Sequence, residues 1–457
     1  MVDRQNPGPH GGAASPAPRE HLGPRAVVTG VTPIFVGMSA TMLTSLTDTL
    51  VASFFGAPAI AGVGIANFFF FLLFAFANGL ANAVQSYTGR ALGRAESADE
   101  RDTALVHGIT FALLISIALA GLALVWVRPV AALVTDDPEV VRAVLGYIIP
   151  LIIALPLYFW NAVCRGYFTA IGRAWYFARV NLTIQFVNVT LSLILGLGLL
   201  GLPALGVFGI GIATAIAYAV GAAMNAFAIL SVVSVTCLLR LRPKRSFTGP
   251  FLRHAAQSGS GQAIYAAGWI ISFWIVGRLG TESLAVYQLI AQATLFPIYL
   301  SNACGSFGIA TIARQRETDP ELARDSGWRI VHSGVAIVVV YAVLLAIIAE
   351  AMLHFYLEDP AVAAQFRPAV QIAAIALPAY TYAAILGQVL QGAHDYAFVL
   401  RISAGSQWLL FLPLAYALGP GLGLALTGVM LAELAYRMTM MAIYIRQWRS
   451  SSLTSDE

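Results

Sequence analysis

Charged residues are scarce in this chain. Asp, Glu, Lys and Arg make up 11% of its 457 residues, whereas 59% are apolar. A soluble domain carries about a quarter charged residues. This chain has too few charged residues to keep the surface of a soluble domain hydrated, so its composition excludes a soluble protein. The apolar residues form long uninterrupted blocks, and a helical block of about 20 residues spans the hydrocarbon core of a bilayer. The sequence therefore predicts an all-α integral membrane protein.

Cysteine and the usual catalytic motifs are also rare or missing. Cys164, Cys237 and Cys304 lie in or beside apolar blocks without pairing or metal spacing, so they are expected to pack as small apolar residues. The chain has no Walker A, HExxH, nucleophile-elbow or Cys/His metal pattern. It is therefore not expected to hydrolyse ATP by the usual loop, to be an enzyme or to carry a cofactor. A membrane-embedded enzyme stays open as an alternative. Such an enzyme would need clustered His, Asp or Glu residues, whereas the seven histidines of this chain are scattered.

The apolar blocks predict twelve transmembrane helices. Several blocks exceed the length needed to span, so tilt or an extension beyond the bilayer is expected. The predicted spans are 27–54, 59–84, 104–127, 144–168, 178–200, 206–236, 258–277, 284–312, 329–350, 369–391, 398–418 and 421–445.

The basic residues are distributed unevenly between the two sides of these spans. An even number of spans puts both termini on one side, and 22 of the 26 Lys and Arg residues fall there. Only Arg128, Arg142, Arg278 and Arg367 fall on the other side. By the positive-inside rule both termini are predicted to be cytoplasmic in a multi-pass plasma (inner) membrane protein. The basic residues thus indicate orientation rather than nucleic-acid binding.

The most basic stretch divides the spans six and six, which predicts two lobes. A shift of 224 residues pairs Gly56 with Gly280 and Asn78 with Asn302, as in a parallel repeat with a central cavity between its halves. Chance self-alignment of apolar sequence is the alternative. The predicted parts are a disordered cytoplasmic tail 1–25, an N-terminal six-helix lobe 26–237, a basic cytoplasmic linker 238–254, a C-terminal six-helix lobe 255–446 and a cytoplasmic tail 447–457.

Ionisable groups inside spans are the strongest functional candidates, since each costs about 2.5–3.5 kcal/mol at mid-bilayer on insertion scales. Asp48 in the first span shares a helical face with Thr41, Thr44 and Ser45. Pro33 in the same span frees a backbone carbonyl and is a candidate hinge. The alternative is that Asp48 is hydrated at the outer interface.

Polar stripes on the fifth and sixth spans could meet Asp48. Such amides and hydroxyls can simply form hydrogen bonds between helices, but two polar stripes beside a carboxylate favour a water-filled cavity. The stripes are Asn181, Gln185, Asn188 and Ser192, and Thr214, Tyr218, Gly221 and Asn225.

The remaining spans contribute a second carboxylate and many aromatic residues. Glu433 lies one turn from Arg437, so an ion pair within the helix is expected rather than an ion site. Aromatic faces with amides suit large apolar or cationic ligands, although ordinary packing is the alternative for each residue. The candidate substrate-cavity residues are Tyr158, Trp160, Gln185, Tyr218, Gln262, Tyr265, Trp269, Tyr380 and Gln388.

Over residues 27–445 the chain resembles the multidrug and toxic compound extrusion (MATE) family. The resemblance rests on short pieces in a fixed order along the spans. They are Pro33 with Asp48, Gly172-Arg173, Asn188 followed by Gly201-Leu-Pro-Ala-Leu-Gly206, Gly211-Ile-Ala-Thr214, Leu279-Gly280 with Leu284-Ala285, and Leu390-Gln-Gly-Ala-His-Asp395.

The resemblance implies two six-helix bundles in a V shape and secondary active export of amphipathic or cationic organic compounds by antiport with H⁺ or Na⁺. Asp48 matches the first-span aspartate that couples cations in bacterial members, and Asn188 and Thr214 match residues beside it. Ser192 falls where some DinF-like members have a second aspartate. The resulting cation-coupling set is Asp48, Asn188, Ser192 and Thr214, with a possible Na⁺ at Asp48, Asn188 and Thr214 and no other metal.

Tyr265 and Tyr380 stand where NorM-like members carry carboxylates, so the pattern is closer to the DinF-like branch. With a single site carboxylate, H⁺ is favoured over Na⁺, since a bound metal ion must lose hydration for little attraction. The expected partners are a small organic substrate and the lipid bilayer, without nucleic acid, and the protein is expected to function as a monomer. A lipid or lipid-linked oligosaccharide flippase of the same superfamily is the alternative. It is disfavoured because Arg437, expected near the cytoplasmic end, is the only intramembrane arginine evident.

Overall fold

The computed structural model describes residues 22–233, 245–356 and 360–451, and the regular elements of these residues are all helical. The first half contains α1 (Pro24–Ser53), α2 (Ala57–Gly93), α3 (Ala98–Val134), α4 (Pro138–Ile153), α5 (Leu155–Ala170), α6 (Ala174–Leu197) and α7 (Gly206–Val232). The second half contains α8 (Arg245–Gly277), α9 (Thr281–Ala293), α10 (Leu295–Gln315), α11 (Pro320–Tyr356), α12 (Pro360–Gly392), α13 (Tyr396–Gly405), α14 (Leu412–Tyr416) and α15 (Ala425–Ser450).

These helices confirm the twelve-span fold. Ten helical stretches among the described residues are long and apolar enough to cross a membrane, and α4 with α5 forms a further span bent by 54°. The remaining span is α8, whose hydropathy is lowered by polar residues such as Ser258 and Gln262. The 33 residues of α8 are long enough to cross a membrane, so hydropathy alone would have missed it, but its place between two predicted spans requires a crossing.

Proline residues lie where two spans depart from a regular α-helix. Pro156 is in the first turn of α5, directly after the bend at Ala154. The eleventh span contains wide π-helical turns at Ser406–Phe411 and Ala417–Gly421, on either side of Pro413 in α14 and including Pro420. Since proline has no backbone N–H, it removes one bond of the helical ladder and favours such breaks.

Two hydrophobic cores correspond to two helical bundles. The first is formed mainly by α1–α7, with side chains such as Phe70 and Phe159, and also includes Phe251 of α8. The second is formed mainly by α8–α15, with side chains such as Leu386 and Trp448, and also includes residues from the start of α1. Cys164 and Cys304 are buried in these cores as expected, whereas Cys237 lies outside the described residues.

The residue limits predicted for tails, lobes and linker remain predictions. Within the predicted linker, residues 245–254 are the first turns of α8. Residues 238–244 of that linker, residues 1–21 of the first tail and residues 452–457 of the second lie outside the described residues.

The two bundles are joined at the end of the spans nearer the termini, by what we call the closing surface of α2, α8 and α10. Gly79 of α2 allows close approach to α8, because a Cβ there would lie 2.4 Å from the Ala255 carbonyl oxygen. Glu317, just beyond α10, pairs with Arg90 Nε at 2.9 Å and Arg94 Nε at 2.6 Å. These contacts hold the two bundles together at that end of the spans.

Candidate functional site

Asp48 is fully buried among hydroxyl groups inside the first bundle. Its side chain is 0% exposed, so the alternative of a hydrated residue at the outer interface does not match the structure. Tyr147 Oη donates to Asp48 Oδ2 at 2.7 Å, and Thr214 Oγ1 donates to the same oxygen at 3.3 Å. Ser192 Oγ donates to Asp48 Oδ1 at 3.4 Å. Four helices, α1, α4, α6 and α7, therefore converge on one carboxylate.

Asn188 completes this group through Thr214. Its Nδ2 donates to Thr214 Oγ1 at 2.8 Å, while its Oδ1 is buried and has no hydrogen-bond partner among the described residues. One turn below Asp48, the Thr44 hydroxyl donates to Gln185 Oε1. The four residues expected to couple a cation, Asp48, Asn188, Ser192 and Thr214, thus lie together, and one of them offers an unfilled acceptor.

Two members of the site were missed by sequence reasoning. Tyr147, 1% exposed, comes from α4, and its hydroxyl also lies 3.1 Å from Asn67 Oδ1 of α2. Both residues stand in apolar blocks without a polar stripe, so their helical period gives no signal. Only the packing of α2, α4 and α7 brings them to Asp48.

Aromatic side chains lie beside the Asp48 site in the first bundle. The Tyr158 ring stacks on Phe74 with centroids 3.9 Å apart, and its centroid is 5.4 Å from that of Tyr218. Trp160 Nε1 is buried without a hydrogen-bond partner among the described residues. The predicted cavity residues Tyr158, Trp160, Gln185 and Tyr218 are therefore all in the first bundle.

Gln262 lies instead at the contact between the bundles. Arg165 Nη2 donates to Asn78 Oδ1 at 2.8 Å, and Asn78 Nδ2 donates to Gln262 Oε1 at 3.4 Å. Sequence analysis counted Arg165 with the cytoplasmic residues and did not find this chain of contacts. Gln388 is elsewhere, in the second bundle, where its Nε2 donates to Asn302 Oδ1 at 3.0 Å.

The other predicted cavity residues surround a small cavity inside the second bundle. Tyr265, Trp269 and Tyr380 line a space of about 30 Å³ together with Glu433 and Arg437. The expected ion pair is present, with Arg437 Nη2 3.1 Å from Glu433 Oε1. However, Arg437 is in the middle of α15 and 6% exposed, so the expectation that it lies near the cytoplasmic end is wrong.

The nine candidate cavity residues therefore lie in several places rather than one.

The hinge role of Pro33 stays a prediction, since α1 continues through this residue as one helix. Among the described residues no group of three or more His, Cys, Asp or Glu side chains could hold a metal ion.

The fold has two helical bundles, and four helices of one bundle meet at a buried carboxylate. The sequence of this chain also matches a family model directly. The MatE family model matches residues 33–194 and 260–417, which is most of the chain. This protein belongs to the MatE family. Each matched segment lies within one bundle, so the match covers part of both halves of the fold.

Relatives and solved structures agree with this assignment. The chain is 23% identical to the uncharacterized transporter YisQ of Bacillus subtilis, covering 92% of each chain. It is 25% identical to the probable multidrug resistance protein NorM of Pseudomonas aeruginosa, covering 89% of this chain and 85% of that one. A solved outward-facing multidrug resistance MATE transporter has the same fold, with a TM-score of 0.83, 18% identity, and coverage of 96% of this chain and 98% of that one.

Membership in the MatE family makes this chain a multi-pass membrane transporter. The alternative of a membrane-embedded enzyme is thereby overturned, since family members are transporters and not enzymes. The DinF-like branch stays a prediction.

Proposed function

We propose that this MatE protein exports amphipathic or cationic organic compounds across the plasma membrane by antiport with H⁺ at Asp48. The observation that carries the proposal is the environment of that carboxylate. Asp48 is 0% exposed, and the groups that hydrogen-bond to it are all neutral, namely the hydroxyls of Tyr147, Ser192 and Thr214 and the amide of Asn188. A buried charge that lacks a basic partner is costly, so this carboxylate favours uptake of a cation.

Protonation of Asp48 fits the unfilled acceptor in the network. An ionised carboxylate only accepts hydrogen bonds, whereas a protonated one also donates. Asn188 Oδ1 is buried without a partner among the described residues, and it belongs to the same network through Thr214. H⁺ bound at Asp48 would neutralise the carboxylate and remove the charge that attracts a cationic substrate, which couples proton entry to substrate release.

Na⁺ is the competing coupling ion. It would use Asp48 with the neutral oxygens of Asn188 and Thr214, and lose much of its hydration. One carboxylate gives it limited attraction, whereas H⁺ needs no coordination shell. The names of the NorM relatives, which refer to multidrug resistance, support an organic substrate for either ion.

Transport by purified protein in vesicles tests both the substrate class and the ion. We expect ethidium, an organic cation, to accumulate under an imposed pH gradient in Na⁺-free buffer, and to stop accumulating when the gradient is collapsed. Protein-free vesicles provide the background. Strict dependence on a Na⁺ gradient would overturn H⁺ coupling, and no ethidium transport under either gradient would count against export of organic cations.

The proposed orientation puts both termini in the cytoplasm. Even without Arg165 and Arg437, which lie inside the fold, the basic residues divide 20 to 4 between the two sides, which supports this orientation. A single cysteine at Asp137, in the turn before α4, should react with an impermeant maleimide added outside intact cells. A single cysteine at Ser246 should react only after the membrane is opened. Reaction of both from outside would contradict the orientation.

A lipid flippase remains the second candidate, and it is supported by one observation. Arg165 and Arg437 lie inside the fold, one beside the contact between the bundles and one in the second bundle, and basic groups can hold lipid phosphates. Scrambling of fluorescent phospholipids in the same vesicles would favour the flippase, whereas its absence together with ethidium accumulation favours export.

A further inference from the structure

The second bundle buries an arginine at mid-span. Arg437 lies about 18 Å along α15 from Ala425, at 1.5 Å per residue, which places it deep within the apolar layer. It is 6% exposed. An arginine at the centre of a membrane helix is strongly disfavoured and usually marks a functional site.

The hydrogen bonds of Arg437 satisfy only one of its three nitrogens. Nη2 donates to Glu433 Oε1 at 3.1 Å and lies 3.2 Å from Tyr265 Oη. Nε and Nη1 are buried and have no hydrogen-bond partner among the described residues. A guanidinium carries five N–H groups, so three of them, one on Nε and two on Nη1, are left without an acceptor.

Tyrosine rings keep the guanidinium charged without filling these donors. The Cζ atom of Arg437 lies 4.5 Å from the centroid of Tyr380 and 4.7 Å from that of Tyr436. Such contacts use the face of the guanidinium and stabilise its charge. Its N–H groups point outward in its own plane, so they remain available to an acceptor.

The adjoining cavity has room for one small group. Its volume is about 30 Å³, enough for a water-sized species. Apart from the polar groups around Arg437, its walls include Ile290, Ala376 and Leu377. An apolar wall strengthens a charge-assisted hydrogen bond because it excludes competing water.

We propose that Arg437 anchors an anion site in the second bundle, which takes a single carboxylate of an amphiphilic substrate or a free halide ion. As a substrate site the inference rests on the proposed export function. The two bundles then offer opposite charges, Asp48 in the first and Arg437 in the second. Glu433 pairs with Arg437, and its negative charge repels an anion that approaches the same arginine.

A pair of dyes that differ in one carboxylate tests this site. Rhodamine B carries a cationic aromatic body and a free carboxylate, and its ethyl ester has a neutral, slightly larger group in place of that carboxylate. In chloride-free sulfate buffer, we expect purified wild-type protein to bind rhodamine B about tenfold more tightly than the ester, measured by fluorescence anisotropy. Arg437→Gln should reduce this ratio to about one.

Glu433→Gln gives a change in the opposite direction. It removes the opposing carboxylate and leaves the arginine, so the preference for rhodamine B should rise, which general loss of folding would not produce. The double variant Arg437→Gln/Glu433→Gln removes both charges, and it should abolish the preference even where the single arginine variant folds poorly. Arg401→Gln, an exposed arginine on α13, is the control and should keep the wild-type ratio.

Added chloride separates the two sources of the anion. A carboxylate preference that depends on Arg437 identifies a substrate carboxylate. Without such a preference, thermal stabilisation by chloride in the wild type but not in Arg437→Gln identifies a halide. If neither effect depends on Arg437, the proposal is overturned. Because dye binding is measured without a gradient, an Arg437-dependent preference would stand even if wild-type protein exported no ethidium.

Discussion

Replacing Asp48 by asparagine is expected to reduce gradient-driven ethidium accumulation to the level of protein-free vesicles. The substitution keeps the size and shape of the side chain but removes its ability to take up and release a proton. Tyr147 and Thr214 can still donate to its carbonyl oxygen, and its NH2 group can donate to the Ser192 hydroxyl, so the bundle should assemble. Initial rates at equal protein content in the vesicles are the measurement.

Glu139→Gln is the matched control for this experiment. Glu139 is an exposed carboxylate in the first turn of α4, outside the Asp48 site. Its replacement should leave ethidium accumulation at the wild-type rate. Retained accumulation in Asp48→Asn, with normal protein content, would show that another group couples the ion.

Replacing Gly79 by valine is expected to hold the two bundles apart at the closing surface and to stop transport. A Cβ at this position would meet the Ala255 carbonyl oxygen at 2.4 Å and the Gly259 nitrogen at 2.6 Å. Both are backbone atoms that cannot rotate away, so α2 and α8 must separate. Overpacking of this kind costs about 1–3 kcal/mol, which favours conformations with the closing surface open.

Cysteine accessibility measures this separation directly. Ser258 is 5% exposed and accepts a hydrogen bond from Asn82 Nδ2 at 3.1 Å across the two bundles. In the Gly79→Val background, Ser258→Cys should react faster with an impermeant maleimide applied to the proposed cytoplasmic face of inside-out vesicles.

Gly64→Val is the control on the same helix. A Cβ at Gly64 meets no atom within 4 Å, so transport and protection of position 258 should match those of the parent protein. Wild-type transport in Gly79→Val would mean that transport does not need this close approach.

The grouping of polar residues on one face of a helix was predictable, because it depends only on the helical period of 3.6 residues. Residues three or four apart share a face of a helix, which grouped Gln185, Asn188 and Ser192 before any fold was known. The first-span carboxylate was equally visible, because a charge within an apolar block stands out. The structure brings these residues together with Thr214 as expected.

The sequence by itself determined the membrane class, the twelve crossings and the location of one carboxylate among polar stripes. Only the tertiary structure decided that Tyr147 joins Asp48, that Arg437 lies buried at mid-span and that the cavity residues are divided between the bundles. The reason is that lipid tails are as apolar as leucine, so an apolar side chain facing lipid looks like one facing a core. Phe227 is 83% exposed and Phe159 is 0% exposed, yet both occur in similar apolar runs. Which helix faces meet is therefore set by close packing between helices. This packing depends on the surfaces of both helices, and the periodicity of one sequence does not determine it.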